Sequence, residues 1–252
     1  MTQLQSCSAA ATLMLFTTLI VGCSNSEAPA PTQPGPWAET FRWDADPGVD
    51  LDSPPAQVVR AAVESDELRL AIGLRYTYPG YYDAAYGHGT LTTQDPGGSV
   101  GTLHAKLVVV DQSDRRINAV VCLDTTGVSN YRDGGYPLHQ QDALSAGPVY
   151  RVSAEIPDTD SDFPTTERRG VELTAPTPDE SLAGPPGRDP RPSGNVFGDW
   201  QITEFKMDAT RAARGHCDAW REQRWGGPTP PPPTRTELEP PTVEPFYPGW
   251  EN

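Results

Sequence analysis

Apolar positions in the middle of the chain repeat with two different periods, which predict different elements. Over residues 56–73 they recur at near-helical spacing, at Val59, Ala62, Val63 and Leu70. This spacing predicts one or two amphipathic helices that begin just after Pro54-Pro55. Alternation of apolar and polar positions then predicts strands over residues 102–110, 117–124, 149–156 and 200–207, with a hairpin loop over 111–116. Helices followed by antiparallel strands predict an α+β domain whose helices cover one face of a curved sheet.

A tyrosine-rich segment separates the predicted helices from the first predicted strand. It contains Tyr76, Tyr78, Tyr81, Tyr82 and Tyr86. Pro79-Gly80 and Gly87 interrupt it, and these residue types predict a loop or a broken helix.

The first 22 residues carry no charged side chain, and residues 9–22 form a mostly apolar stretch. A bilayer span needs about 20 apolar residues, so this shorter stretch fits the apolar region of a signal peptide better. It ends in Ile20-Val21-Gly22-Cys23, which resembles the lipobox of bacterial lipoproteins. That resemblance implies that residues 1–22 are removed as a signal peptide. Cys23 would then be acylated and would anchor the protein on the extracytoplasmic side of the cell membrane. The alternative is a short buried helix with an incidental cysteine.

Proline density predicts the domain boundaries. Residues 23–54 are rich in proline and acidic residues and are expected to form a tether, or alternatively an ordered arm packed through Trp37, Phe41 and Trp43. Residues 55–225 are expected to form the domain. Residues 226–252 hold nine prolines and are expected to form a disordered tail. The alternatives for the aromatic end of this tail, residues 246–250, are that it folds back on the domain or that it contacts a component of the cell wall.

The charge of the chain excludes one class of partner. With 34 acidic and 19 basic side chains the net charge is -15. Nucleic-acid binding is driven by lysine and arginine neutralising phosphates, so no nucleic-acid partner is expected.

Three short stretches of the domain resemble a known family. They are the strand end Ala119-Val-Val-Cys122-Leu-Asp124-Thr-Thr-Gly127, the segment Gly198-Asp-Trp200-Gln-Ile202 and the segment Gly215-His-Cys217. Together they resemble secreted or lipid-anchored actinobacterial proteins of nuclear-transport-factor-2-like fold. The resemblance covers about residues 55–220. It implies a cone-shaped fold in which N-terminal helices pack on a curved antiparallel sheet, in a family that is mostly functionally uncharacterised.

Two cysteines lie within the predicted domain, Cys122 and Cys217. In an exported protein two such cysteines are expected to pair, so a Cys122 to Cys217 disulfide is predicted. The alternative is two separate buried thiols.

Common catalytic and metal-binding patterns are absent from the sequence. It contains no Gly-x-Ser-x-Gly, His-Glu-x-x-His or Cys-x-x-Cys. Asp158, Asp160 and Asp162 have calcium-loop spacing, but Phe163 and Arg169 replace the glycine and glutamate that such a loop needs. We therefore expect no catalytic residue, no metal site and no cofactor.

The tyrosines suggest a ligand pocket. Tyr76, Tyr78, Tyr81, Tyr82 and Tyr86 are expected to line the mouth of the cone together with His104 and Asp124 of the sheet, because tyrosine suits a partly wet cavity. The alternatives are that the rings fill the cone and that Asp124, which shares a strand face with Cys122, caps a turn.

Three functions compete at this stage. The leading hypothesis is a non-catalytic envelope domain that binds a small apolar molecule or an envelope protein. The second is an isomerase or dehydratase that works through His104, Asp124 or a tyrosine. The third is an interaction or spacer protein that acts through its proline-rich tails.

Overall fold

The computed structural model describes residues 38–71, 73–85, 99–129, 135–137, 147–158, 182, 184–230 and 236–251, and the statements below concern these residues. They all belong to one compact unit, Gln33–Asn252. The strands are β1 Glu39–Ala45, β2 Val100–Ser113, β3 Arg116–Asp124, β4 Val128–Ser129, β5 Tyr136–Pro137, β6 Val149–Glu155, β7 Gln201–Met207 and β8 Thr236–Glu237. The helices are α1 Pro54–Ala71, α2 Tyr81–Ala84, α3 Arg211–Gly215 and α4 Asp218–Trp225, and a 3-10 turn spans Leu74–Tyr76.

The strands form one main sheet with the order β1-β2-β3-β6-β7, in which β4 also pairs with β2. The neighbours from β2 to β7 are antiparallel, whereas β1 runs parallel to β2. The short strands β5 and β8 pair separately. The structure therefore confirms an α+β domain, but its sheet is mixed, because a strand that precedes α1 joins it.

Alternation along β2 and β3 gives the sheet two apolar faces. One face, here called the inner face, presents Leu103, Ala105 and Val121, and α1 packs against it in the main core. The other, the outer face, presents Val108, Val120 and Cys122. It forms a second cluster with Ala213 of α3, Cys217 and Trp220 of α4. Helices therefore lie against both faces, which corrects the prediction that helices cover only one.

The segment expected to be a tether contains β1. Its residues Phe41 and Trp43 are only 1% exposed and belong to the main core. In β1 these two aromatic residues alternate with polar ones, which suits a strand with one buried face. The ordered arm is thus the correct alternative for residues 39–54, while Trp37 and Cys23 lie outside the described residues.

The chain end expected to be a disordered tail is also part of the fold. Phe246 and Trp250 are 2% and 1% exposed. Tyr247 bonds across the edge of β1, donating from its N–H to the Phe41 carbonyl (3.0 Å) and accepting from the Trp43 N–H (2.9 Å). We call residues 236–251 the C-terminal strap. The prediction of disorder is wrong for the strap, because burial of its aromatic side chains and its main-chain bonds offset the cost of ordering it.

The two domain cysteines join the outer face to the helices. Cys122 on β3 and Cys217, the residue before α4, lie at disulfide distance, with 5.5 Å between their Cα atoms. Both are fully buried. This is the pairing that the sequence predicts.

Candidate functional site

The tyrosines of the predicted pocket are part of the core. Tyr76, Tyr78 and Tyr81 are 7%, 2% and 3% exposed and pack in the same cluster as α1 and the inner face of the sheet. The alternative that the rings fill the fold is therefore the correct one for these three. Tyr82 is half-buried, and Tyr86 lies outside the described residues.

The tyrosine hydroxyl groups reach carboxylates of α1. Tyr78 donates a short hydrogen bond to Glu64, and Tyr81 donates to Asp66 over 3.1 Å. From the other side, Tyr150 of β6 hydrogen-bonds to Glu67. Glu39 of β1 lies close enough to Glu67 to interact with it electrostatically. We call Glu39, Glu64, Asp66 and Glu67 the carboxylate cluster.

Burial of α1 brings this cluster together. The helix is enclosed by the sheet, by the tyrosine segment and by the C-terminal strap, so its polar side chains are buried with its apolar ones. Glu64 is 1% and Asp66 8% exposed. An amphipathic helix would expose its acidic residues to solvent, and for this reason the sequence pattern did not point to these carboxylates. The available signal was an acidic run, Glu64-Ser-Asp-Glu67, close to a run of tyrosines.

Hydrogen bonds stabilise two members of the cluster. Glu64 accepts from Trp43 Nε1 (2.7 Å) as well as from Tyr78. Glu39, which is 3% exposed, accepts a short bond from Ser99. Burial nevertheless raises the pKa of both carboxyl groups, since it penalises the ionised form more than these bonds and nearby arginines favour it.

The carboxyl group of Glu67 also has a raised pKa. It is half-buried, and burial together with the neighbouring charges of Glu39 and Asp66 raises its pKa to about 8. The hydrogen bond from Tyr150 and the charge of Arg69 act in the opposite direction. Glu67 is therefore largely protonated at neutral pH and can donate a proton there.

Arginines balance part of this negative charge. Arg69 forms a close ion pair with Asp66 (2.6 Å), and the guanidinium group of Arg60, one turn before Glu64, is buried. Arg191 also acts electrostatically on Glu39 and Glu64. Within the described residues, no group of three histidine, cysteine or acidic side chains is arranged to hold a metal ion.

His104 and Asp124 lie away from the tyrosines. They face each other across β2 and β3, and the alternation places them on the outer face, with Lys106 and Cys122. The predicted grouping of these two residues with Tyr76, Tyr78 and Tyr81 is therefore wrong, because the sheet separates them.

Asp124 has a structural role. It accepts hydrogen bonds from Arg224 Nε (2.6 Å), Trp225 Nε1 (3.0 Å) and the backbone N–H of Thr126 (3.2 Å). Burial opposes its ionisation, but bonds from the Thr126 hydroxyl, Trp225 and Arg224 outweigh burial and lower its pKa. Asp124 thus caps the turn after β3 and fixes the end of α4.

The surroundings of His104 disfavour its protonated form. Its side chain is 15% exposed, and its Nε2 atom lies 3.5 Å from Glu244 of the strap. Burial and the charge of Arg224 lower its pKa, in spite of the nearby carboxylates of Glu244 and Asp124.

An open depression of about 630 Å³ lies between β1, β2 and α4. Its lining includes Asp44, Lys106, Trp220 and Arg224. Within this lining, Trp220 Nε1 donates to Asp44 Oδ2 (2.7 Å). Sites for apolar small molecules are mostly apolar, whereas this lining is charged and aromatic.

The carboxylate cluster predicts a pH-dependent stability. An ordinary glutamate loses its proton near pH 4.5, whereas folded Glu67 keeps it until about pH 8. Between these values the folded protein binds more protons than the unfolded chain, so the free energy of unfolding falls as pH rises. The raised pKa values of Glu39 and Glu64 act in the same direction. Urea unfolding at pH 5, 6.5 and 8 should show this decline.

Glu67→Gln should flatten the decline, because a neutral amide has no proton to lose. Glu222→Gln, at an exposed position of α4, is the matched control and should keep the wild-type profile. Equal slopes for wild type and Glu67→Gln would show that Glu67 does not titrate in this range.

Comparison with known proteins gives no family for this chain. No protein family, no curated protein and no solved structure matches it. Among the described residues, no helix is both long and apolar enough to cross a membrane.

Proposed function

We propose that this protein is a membrane-anchored extracytoplasmic lipoprotein whose folded domain binds another protein of the cell envelope without catalysing a reaction. The burial of Tyr76, Tyr78 and Tyr81 is the observation that favours a protein partner over a small apolar ligand. These rings pack in the core instead of lining an open pocket mouth, which favours recognition on the surface. The charged and aromatic depression beside Trp220 and Arg224 also favours a protein partner, since both residue types are enriched in protein interfaces.

The leader supports the anchor. Residues 1–22 have the character of a signal peptide and directly precede Cys23, although this segment lies outside the described residues. The Cys122 to Cys217 pair also fits export, because disulfides persist in oxidising compartments.

We further propose that the domain is a variant of the cone-shaped, nuclear-transport-factor-2-like fold of actinobacterial proteins. The long helix α1 on the inner face supports this. Register shifts support it too: β2 carries an extra residue between Val109 and Asp111, and β7 carries one, Thr203, opposite β6. Such irregularities bend strands and so favour a curved sheet. The parallel strand β1 and the strap would be additions to that fold.

Native mass spectrometry of the full chain, extracted from the membranes of the cells that produce it, tests this function. Wild type should carry the mass of the acyl chains and should copurify with a protein, with no bound small molecule. Cys23→Ser should lose the acyl mass and move from the detergent phase to the aqueous phase. Equal partition of the two proteins would refute the anchor, and a stoichiometric apolar ligand would refute recognition on the surface.

An enzyme that moves protons is the second candidate, and Glu67 is the observation that favours it. A carboxyl group with a pKa of about 8 can give and take protons near neutral pH, as bases of isomerases and dehydratases do. Glu67 is also half-buried, so part of its side chain is exposed, whereas Glu64 is fully buried.

Hydrogen exchange at carbon provides the test of this second candidate. Simple ketones and enones incubated with the protein in D₂O should exchange their acidic C–H hydrogens, as followed by NMR. Glu67→Gln should abolish that exchange, whereas Glu222→Gln should not. Absence of exchange above the buffer rate with wild type would exclude this class of activity for these compounds.

The third hypothesis, a protein that acts through free proline-rich tails, loses support at the C-terminus. Phe246 and Trp250 are buried in the core and are not free to bind a partner.

A further inference from the structure

The depression between β1, β2 and α4 contains an arginine whose position is fixed by the fold. Arg224 Nε donates to the buried carboxylate of Asp124 (2.6 Å), and its guanidinium group lies over the ring of Trp220 at 5.5 Å. Trp220 is held in turn by the hydrogen bond from its Nε1 atom to Asp44. A guanidinium group that is already held in this way loses little further freedom when it binds a ligand. This part of the surface is therefore organised before a partner binds.

The terminal nitrogen atoms of Arg224 are available to such a ligand. Among the described residues, the guanidinium group of Arg224 forms a hydrogen bond only through Nε, to Asp124. The side chain is 26% exposed and belongs to the lining of the depression. The two terminal N–H groups of an arginine form a flat edge that matches both oxygen atoms of a carboxylate.

The charges around this edge limit the charge that a ligand can carry. The lining holds two positive side chains, Lys106 and Arg224, and one negative side chain, Asp44. Lys106 also forms an ion pair with Asp46 (2.6 Å), as Arg224 does with Asp124. A single carboxylate finds unused donors here. A doubly charged phosphate group or a polyanion would meet the like charges of these three aspartates, which disfavours it.

We propose that Arg224 binds the carboxylate of a glutamate or aspartate side chain of a partner protein that docks into this depression. The proposal rests on the proposed function, since it names the contact through which an envelope protein would be recognised. Arginine and tryptophan are the residue types that contribute most to binding energy at protein interfaces, and Arg224 and Trp220 lie together here. Gln223, in the same lining, provides a further amide donor.

Selection from a random peptide library tests the choice of an acidic partner. The full chain is the target, in about 0.15 M salt, where the screening length of about 8 Å suppresses long-range repulsion from the net charge of -15. Peptides that bind wild type more tightly than Arg224→Lys are kept, because lysine preserves a charge for Asp124 but lacks the flat edge. These peptides should share an acidic residue. A library that yields no such peptide, or peptides that share a basic residue instead, would overturn the proposal.

A double-mutant cycle with a selected peptide measures the contact itself. Replacing the acidic residue of the peptide by its amide should weaken binding to wild type roughly tenfold or more, as loss of a charged hydrogen bond does. The same replacement should weaken binding to Arg224→Lys less than about threefold. Arg211→Lys, at an exposed position of α3 outside the lining, is the matched control and should behave as wild type. Equal losses for wild type and Arg224→Lys would show that the carboxylate does not bind Arg224.

Lys106→Gln provides a second variant that does not touch the buried Asp124. Its ion-pair partner Asp46 is 39% exposed, so the fold should tolerate the change, and circular dichroism checks this. The variant should bind the acidic peptide at least roughly threefold more weakly and its amide form equally well, because it removes one positive charge from the lining. An equal effect on both peptides would contradict recognition of a charge.

Two further results separate this contact from other possibilities. Inorganic phosphate in large excess over the peptide should leave most of the peptide bound, and strong displacement would identify a phosphate site instead. In membrane extracts, Arg224→Lys should lose the envelope protein that copurifies with wild type. Copurification of the same protein with both chains would refute this contact and leave the proposed function intact. Absence of any copurifying protein with wild type would refute the proposed function itself.

Discussion

Trp250→Ala is expected to lower the free energy of unfolding by about 3–5 kcal/mol, as large-to-small changes of buried aromatic residues do. The side chain is 1% exposed although it lies two residues from the end of the chain. Its loss removes the ring contacts with Tyr78 and Arg60 and leaves a cavity beside a buried guanidinium group. Equilibrium urea unfolding measures the change.

Tyr247→Ala is the matched control for this prediction. Tyr247 lies in the same strap but is 49% exposed, so its loss should change stability by less than about 1 kcal/mol. A Trp250→Ala protein as stable as the Tyr247→Ala protein would show that the strap does not contribute to the fold.

Removal of the disulfide is expected to cost about 2–5 kcal/mol, because the bond between Cys122 and Cys217 closes a loop across 95 sequence positions and so restricts the unfolded chain. The variant is Cys122→Ala/Cys217→Ala, since alanine leaves no buried hydroxyl group on the outer face. Urea unfolding without reductant measures the loss of stability.

Loss of the disulfide should also destabilise the two helices α3 and α4 more than the rest of the fold. Within the described residues, α3 and α4 share their outer-face cluster with only three sheet valines and Cys122. Amide hydrogen exchange should therefore rise more in residues 211–225 than in β3. Reductant should destabilise wild type and leave the double variant unchanged. A wild-type protein insensitive to reductant would show that the bond does not stabilise the fold.

Local pattern was enough to predict most of the regular elements. The helix expected over residues 56–73 is α1, Pro54–Ala71, and the strand expected over 102–110 is β2, Val100–Ser113. The strands expected over 117–124, 149–156 and 200–207 are β3, β6 and β7 with ends shifted by one residue. The presence of two cysteines within the expected domain also made the pairing of Cys122 with Cys217 foreseeable.

The local sequence pattern did not predict most of the candidate site. The tyrosine cluster was recognised, but its rings were expected at an open mouth, and His104 and Asp124 were grouped with it. Which face of a strand meets which helix depends on contacts distant in sequence, and periodicity within one segment carries no such information.

The sequence by itself determined the long helix, the antiparallel strands and the disulfide partners. The helix and the strands follow from the spacing of apolar residues within one segment, and the disulfide follows because the expected domain contains only two cysteines. Only the tertiary structure decided that β1 and the C-terminal strap belong to the fold. Their proline-rich surroundings predict disorder, and the entropy cost of ordering them is offset by aromatic contacts with residues distant in sequence. It also decided that Glu39, Glu64 and Asp66 are buried beside the half-buried Glu67. A carboxylate is normally solvated. Glu64 and Asp66 are buried here because the sheet, the tyrosine segment and the strap pack against most of α1. Hydrogen bonds from Trp43, Tyr78 and Tyr81 and the positive charges of Arg60 and Arg69 offset the desolvation of these two carboxylates.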